Sequence, residues 1–489
     1  MIRNRASGQA SIGADGTEGF LARRSPAGFV FRGLKSGVPR GLGTSRGQRR
    51  IDATQSWRES DASVAFALFV PMLFMSELGT IGAALFSAVA LLYVAQRARQ
   101  LRAIVAPRAF LLAIPFLALL STMWSEVPGD TLKYSLEFAL TIGVGLVLSA
   151  APRPQEVLWG IFLAFAVYII SALTFGQLVN IGANGQTAFS GLTASKNLLA
   201  DIASTGFLLS AVVLSIGIED RRPLRSAAAL LVAAAELYAL LDARSAGAVL
   251  GLALGVLVFA ILLALRSVGF VLRVTATAFL SACLVGAALV YRELSDGLIE
   301  AGTRFFDKDM TLTGRTYLWQ RASDFIAEKP LLGKGFNAFW LQGNPDAEGM
   351  WHYAGITDRE GFSFHNTFVE ILVHLGWSGV VVIGVTPVFG VAFLFGKVIA
   401  RPSLALSFWA SVLVYQLVRM PIETIGFTQF YFSTVLLFAA LGSAFAPRRT
   451  SATVKYFSQA SYSSHSRFRP IFDRSYLAKP SLESGSPRA

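Results

Sequence analysis

Long apolar stretches separated by short polar segments dominate the chain between residues 62 and 446. A helix that crosses a membrane needs about 20 mostly apolar residues, and many of these stretches approach that length. The pattern therefore predicts an all-α fold, a polytopic integral membrane helical bundle with about 12 transmembrane helices. The predicted spans are 62–78, 79–95, 109–122, 134–150, 157–175, 197–218, 227–243, 247–265, 268–290, 367–395, 403–418 and 425–446.

The composition agrees with a membrane protein. Of 489 residues, 54% are hydrophobic and 15% are charged, and the mean hydropathy is +0.54. A soluble protein of this length is less apolar. The single cysteine, Cys283, excludes an intrachain disulfide framework and a metal site built from several cysteines.

The net charge of +13 lies in the two tails of the chain. Residues 1–60 contain 11 Lys and Arg against 4 Asp and Glu, and residues 447–489 contain 8 against 2. Basic tails can bind nucleic acid, but tails that flank membrane spans more often mark the cytoplasmic side. We therefore expect two disordered cytoplasmic tails around a transmembrane domain at 61–446, and no nucleic-acid partner.

The distribution of arginine along the chain predicts the orientation. With a cytoplasmic start, the inside loops collect most of the cations, including four arginines at 96–108, in keeping with the positive-inside bias. Both termini are then cytoplasmic. The long loop 291–366 is then external, and its 11 acidic residues outnumber its 8 basic ones.

The external loop has a helical pattern of its own. Leu318, Ala322 and Phe325 recur at helical spacing, and Lys329-Pro330 should end the helix. We expect a short amphipathic helix that lies near the outer membrane surface.

Cationic side chains at the outer ends of the predicted spans and in the loop are the first candidates for chemistry. Placed around one external cavity, they suit an anionic lipid headgroup, a pyrophosphate above all, because the planar arginine fork binds two phosphate oxygens. For any single residue, snorkelling or a helix-end ion pair explains the charge as well. The candidates are Lys196, Arg244, Arg304, Arg315 and Lys334.

Four local motifs, in this order along the chain, closely resemble those of the bacterial O-antigen ligase and polysaccharide polymerase family. They are a Ser/Gly-rich segment that ends in Lys-Asn, an Arg-Ser turn, a Gly-Arg-x-x-x-Trp … Pro-Leu-x-Gly-x-Gly loop, and His-Asn followed after nine residues by Gly-x-x-Gly. In this chain they are Ser190–Asn197, Arg244–Gly247, Gly314–Trp319 with Pro330–Gly335, and His365-Asn366 with Gly376–Gly379.

The resemblance implies a glycosyltransferase that uses an undecaprenyl-pyrophosphate-linked glycan at the periplasmic face of a bacterial inner membrane, without a metal or another cofactor. The external loop 291–366 would then be periplasmic. Arg315, Arg244 and Lys196 would stabilise the pyrophosphate, with Arg304 and Lys334 as weaker candidates. His365 would either accept the acceptor's hydroxyl proton or bind phosphate as an imidazolium. Asn366 could orient His365. Glu423 could pair with Arg419 or hold an acceptor sugar.

The same resemblance implies the partners. They are an acceptor glycan or lipid A-core, membrane lipid, a flippase and a chain-length co-polymerase. A different class of function, a polysaccharide or lipid-linked oligosaccharide transporter, stays open as the alternative. A transporter typically has paired ionisable groups near mid-membrane and inverted repeats, whereas the charges here crowd one face, which favours the enzyme.

Overall fold

The computed structural model describes residues 61–181, 186–193, 195–289, 315–357, 359 and 362–445, which are mostly helical. Both predicted tails, and the part of the loop that carries Arg304, lie outside the described residues. The elements are α1 Asp61–Leu73, α2 Met75–Gln96, α3 Leu101–Met123, α4 Pro128–Ser149, α5 Pro154–Phe175, β1 Gln177–Ile181, β2 Gln186–Gly191, α6 Lys196–Glu219, α7 Pro223–Asp242, α8 Ala246–Leu265, α9 Phe270–Leu289, α10 Arg315–Glu328, α11 Pro345–Ala354, α12 Thr367–Ala400, α13 Leu404–Arg419 and α14 Phe432–Ala444.

Within the described ranges, eight helices are long and apolar enough to cross a membrane. Four further apolar stretches of helix are shorter: Asp61–Leu73, Phe270–Phe279, Leu404–Arg419 and Phe432–Ala444. The prediction of a polytopic helical membrane protein is confirmed, and the count of twelve spans stays a prediction. Every residue of α14 is buried, so this short helix lies inside the bundle.

A small hairpin corrects the all-α prediction. Strands β1 and β2 pair antiparallel between α5 and α6, with Ile181 opposite Gln186 and Asn180 opposite Thr187. Branched and aromatic side chains in this segment favour an extended backbone. The Ser190–Asn197 motif therefore contains the end of β2, and the helix begins at Lys196, one residue before the predicted span.

The helix ends separate into two groups. At one end, Trp124 donates to the Leu332 carbonyl and Lys329 pairs with Glu126, so the loop after α3 lies against the long loop. At the other end, Arg108 donates to the Gly442 carbonyl. Arg108 lies inside α3, which shortens the predicted inside loop 96–108, because the helix already begins at Leu101.

We predict that the end with Arg97, Arg102 and Arg108 faces the cytoplasm. In a Cys283→Ser background, a cysteine at Gln100 should resist a membrane-impermeant maleimide added from the periplasm. A cysteine at Gln320, exposed on α10, should react and serves as the control. Periplasmic labelling at position 100 would contradict the orientation.

The described part of the long loop has its own apolar core. Leu318, Ala322 and Phe325 are buried against Trp351 and Phe339, and α10 ends at Glu328, just before Lys329-Pro330. The helix is therefore confirmed. Its apolar face packs against protein, and its place near the outer membrane surface stays a prediction.

A break in α12 joins this loop to the bundle. Gly376 has a φ of +63°, and the loop segment 330–335 runs beside the break. Lys334 and Gly335 donate backbone hydrogen bonds to the carbonyls of Val373 and His374. Trp377 and Ser378 donate to those of Pro330 and Leu331.

Two glycines make this close approach possible. A Cβ on Gly376 would lie 2.4 Å from the Leu331 carbonyl carbon, and one on Gly333 would lie 2.5 Å from that of His374. Gly333 also has a positive φ, of +65°, which glycine adopts without strain. The Gly-x-x-Gly and Pro-Leu-x-Gly-x-Gly motifs thus meet each other.

Candidate active site

His365 lies directly before α12, in a backbone conformation with φ +51°. Its Nδ1 is 3.0 Å from Oε2 of Glu423. Asn366 is the N-cap of α12, and its side-chain oxygen accepts from the backbone N–H groups of Phe368 and Val369. Since a capping side chain fixes where a helix starts, Asn366 fixes the point from which His365 projects.

Arg315 is the first described residue of α10, and its guanidinium spans two acceptors. One Nη donates to the Ile422 carbonyl, and the other donates to Oε1 of Glu423 at 2.7 Å. Both oxygens of Glu423 are thus engaged, one by Arg315 and one by His365. A guanidinium has five N–H donors, so Arg315 keeps donors for a ligand, and 18% of its side chain is exposed.

The protonation state of Glu423 determines the tautomer of His365. Burial alone would raise the pKa of the Glu423 carboxyl, but the His365 hydrogen bond and nearby positive charges lower it to about 2. Glu423 is therefore ionised at neutral pH, and an ionised carboxylate only accepts hydrogen bonds. A neutral His365 therefore carries its hydrogen on Nδ1, which leaves Nε2 as the nitrogen that can take up a proton.

Thr367 holds the Glu423 segment against the start of α12. Its backbone N–H donates to the Met420 carbonyl at 2.8 Å, and its hydroxyl donates to the Glu423 carbonyl at 2.9 Å. The same hydroxyl accepts from the Ile425 N–H at 2.8 Å. Sequence reasoning missed Thr367, and its only local signal is its position immediately after His365-Asn366.

A second group of cations borders the first. Lys196 Nζ donates to the Arg244 carbonyl at 3.0 Å, so the start of α6 and the turn before α8 lie together. Arg244 has a φ of +48° and its side chain is exposed. A Cβ on Gly247 would lie 2.4 Å from Cδ1 of Ile422. Because the Ile422 carbonyl accepts from Arg315, the two groups are neighbours.

Lys334 has a different environment. Its ammonium is 3.0 Å from a carboxylate oxygen of Glu328 and lies over the Phe325 ring, 4.8 Å from the centroid. The side chain is buried in the loop's own core. These contacts favour a structural role in the loop for this weaker candidate. Arg304 lies outside the described residues.

Arg419 does not pair with Glu423 through its side chain. Its guanidinium donates to Asp201 at 2.6 Å, and the hydroxyls of Tyr415 and Tyr431 also reach Asp201. Arg419 and Asp201 are nearly inaccessible to solvent. This network fixes α13 against α6. Arg419 lies four residues before Glu423, and Asp201 lies five residues after Lys196, so the network lies next to both groups of the site.

Across the described parts of the chain, no cluster of three or more His, Cys, Asp or Glu side chains has the geometry to hold a metal ion. The arrangement around Glu423 can instead bind an anion through its cations and accept a proton at His365. Three of the predicted residues meet there: Arg315, His365 and Glu423. Lys196 and Arg244 lie beside them, where Gly247 approaches Ile422.

Comparison with known proteins agrees with the motifs. Residues 226–384 match a family model described as O-antigen ligase. The exopolysaccharide production protein ExoQ of Rhizobium meliloti (strain 1021) is 30% identical to the chain over 353 residues, which cover 70% of this chain and 78% of that protein. The family-model match includes Arg244, Arg315 and His365.

Proposed function

The chain belongs to the O-antigen ligase and polysaccharide polymerase family, and on that basis we propose that it is a membrane glycosyltransferase of exopolysaccharide or O-antigen biosynthesis. Its donor is a glycan linked to undecaprenyl pyrophosphate, and the reaction takes place at the periplasmic face of the inner membrane. The observation that carries the proposal is the single carboxylate of Glu423 holding both His365 and Arg315.

The acceptor hydroxyl is activated by His365. Nε2 takes the hydroxyl proton as the oxygen attacks the anomeric carbon of the donor. Glu423 holds the imidazole in the required tautomer and stabilises the imidazolium that forms, so it is a positioning residue in this mechanism. Both of its oxygens already have partners, which favours this role over contact with an acceptor sugar.

The bond that breaks joins the anomeric carbon to the pyrophosphate oxygen. Negative charge grows on that oxygen, and fixed cations stabilise it. Arg315 does so from the centre of the site, and Lys196 and Arg244 from its border. Since Arg315 is already held by Glu423 and the Ile422 carbonyl, it does not need to reorganise when the charge appears.

We favour a polymerase that extends an exopolysaccharide, because the relative above is named for exopolysaccharide production. Mass analysis of lipid-linked glycans in a deletion strain tests this. A polymerase mutant accumulates single repeats on undecaprenyl pyrophosphate. A ligase mutant instead retains intact polymer on that lipid, and unchanged lipid-linked glycans would contradict both activities.

We predict that the purified protein transfers glycan from a lipid-linked oligosaccharide in the presence of EDTA, with no added nucleotide. The leaving group is already activated, and the proposed stabilising charges are side chains of the protein itself. Product formation with and without EDTA, measured by gel or mass spectrometry, is the test. Strict dependence on a divalent ion would refute the metal-free mechanism.

A further inference from the structure

The residue before His365 is held at both of its backbone polar groups by side chains. The Phe364 N–H donates to Oε2 of Glu370 at 2.9 Å, and the Phe364 carbonyl accepts from Nε1 of Trp319 at 2.8 Å. The Phe364 ring is fully buried. Phe364 is therefore fixed by its ring, its N–H and its carbonyl together.

This arrangement matters because of the conformation of His365. A φ of +51° is sparsely populated by residues other than glycine, and such a conformation persists only where the surroundings over-determine it. Asn366 fixes the chain on one side of His365 by capping α12. Phe364 fixes it on the other side, and Glu370 is the acceptor for its N–H.

Glu370 is a buried carboxylate on the first turn of α12, and both of its oxygens are used. Oε1 accepts from Nε1 of Trp340 at 2.8 Å, while Oε2 accepts from Phe364. Nε2 of His374 lies 3.4 Å from Oε1. Two oxygens that both accept are a property of a carboxylate and not of an amide, whose nitrogen only donates.

We propose that Glu370 is a positioning residue that, through the backbone of Phe364, holds His365 with Nδ1 directed at Glu423. The proposal rests on the proposed function for its catalytic meaning. Trp319 completes the arrangement from α10, one turn after Arg315, so the helix that presents Arg315 also fixes the backbone that presents His365.

The test is the tautomer of His365, read by NMR of the imidazole nitrogens in full-length protein with isotope-labelled histidine. The chain has four histidines, and the signal lost in His365→Gln identifies His365. In the neutral imidazole, the wild-type protein should show hydrogen on Nδ1. In Glu370→Gln, whose amide cannot accept from both donors, we expect a mixture of tautomers and a fall in kcat of roughly 10²-fold, with donor KM unchanged.

Glu348→Gln is the matched control. Glu348 accepts from a backbone N–H in the same loop, that of Gly343, and pairs with Arg359. Within the described part of the loop, Glu348 makes no hydrogen bond or ion pair with residues 363–366, so its replacement by glutamine should leave the His365 tautomer and kcat at wild-type values.

An unchanged His365 tautomer in folded Glu370→Gln would overturn the proposal, even if the melting temperature fell. If Glu370→Gln does not fold, Trp319→Phe removes the donor to the Phe364 carbonyl and must produce the same tautomer mixture. The proposed function fails separately, if Arg315→Ala and His365→Ala both make wild-type amounts of polymer. The tautomer measurement does not depend on that result.

Discussion

Replacing His365 with glutamine is expected to lower kcat by about 10²–10⁴-fold, the range that positioned general acid–base groups contribute. Glutamine keeps a hydrogen-bonding group near Glu423 and near a phosphate, but it cannot take up the acceptor's proton. Donor binding should therefore stay close to that of wild type while turnover falls. The measurement is polymer formation from purified lipid-linked oligosaccharide, with donor binding followed in parallel.

Two further variants test the same role of His365. His365→Ala should be inactive at every pH, because it removes both the base and the partner of Glu423. His352→Gln, on the exposed side of α11 in the same loop, is the matched control and should retain wild-type turnover. Substantial activity in His365→Gln would show that His365 binds phosphate and is not the base.

Replacing Arg315 with lysine is expected to reduce the rate by about 10²–10³-fold, the typical loss when one preorganised donor to a developing charge is removed. Lysine keeps the charge but has a single nitrogen. It cannot span the Ile422 carbonyl and Glu423 as the guanidinium does, nor present a planar fork to phosphate. Rates at equal expression of folded protein are the measurement.

Arg321→Lys is the control for the arginine prediction. Arg321 lies on the same helix and pairs with Asp324 at an exposed position, where such pairs contribute little. Its replacement should leave the rate unchanged. If Arg315→Ala and His365→Ala both make wild-type amounts of polymer, the site is wrongly assigned, and the transporter alternative gains support.

Hydrophobic patterning predicted most of the helices, because a span must be apolar over its whole length. The spacing of Leu318, Ala322 and Phe325 likewise predicted α10 and its end at Glu328. The hairpin at 177–191 was missed because its strands are only five and six residues long. A strand pattern this short is hard to distinguish in the sequence from the long apolar spans on either side.

The partners of Glu423 could not be predicted from the residues near it in the sequence. The sequence allowed Glu423 a pair with Arg419, four residues earlier, but side chains at that spacing face each other only within a helix. Since α13 ends at Arg419, Glu423 lies beyond it and faces residues from two distant segments. Arg419 instead pairs with Asp201, 218 positions earlier. Nothing in the local sequence specifies such long-range pairs.

The N-cap role of Asn366 could have been predicted from the sequence. Asparagine directly before an apolar helix is a common cap, and the His-Asn pair stands at that boundary. The resemblance to the family drew attention to both residues equally. The structure separates them, because His365 faces Glu423 and Asn366 faces its own helix.

The backbone pairing between segment 330–335 and the break in α12 limits which changes of sequence the protein tolerates in these two segments. These hydrogen bonds join main-chain groups, so most side chains along them can change while the pairing persists. A gain or loss of one residue in either segment, however, would shift the register and displace His365 relative to Arg315. A chimaera between relatives therefore has to exchange both segments together, because only then is the register between them kept.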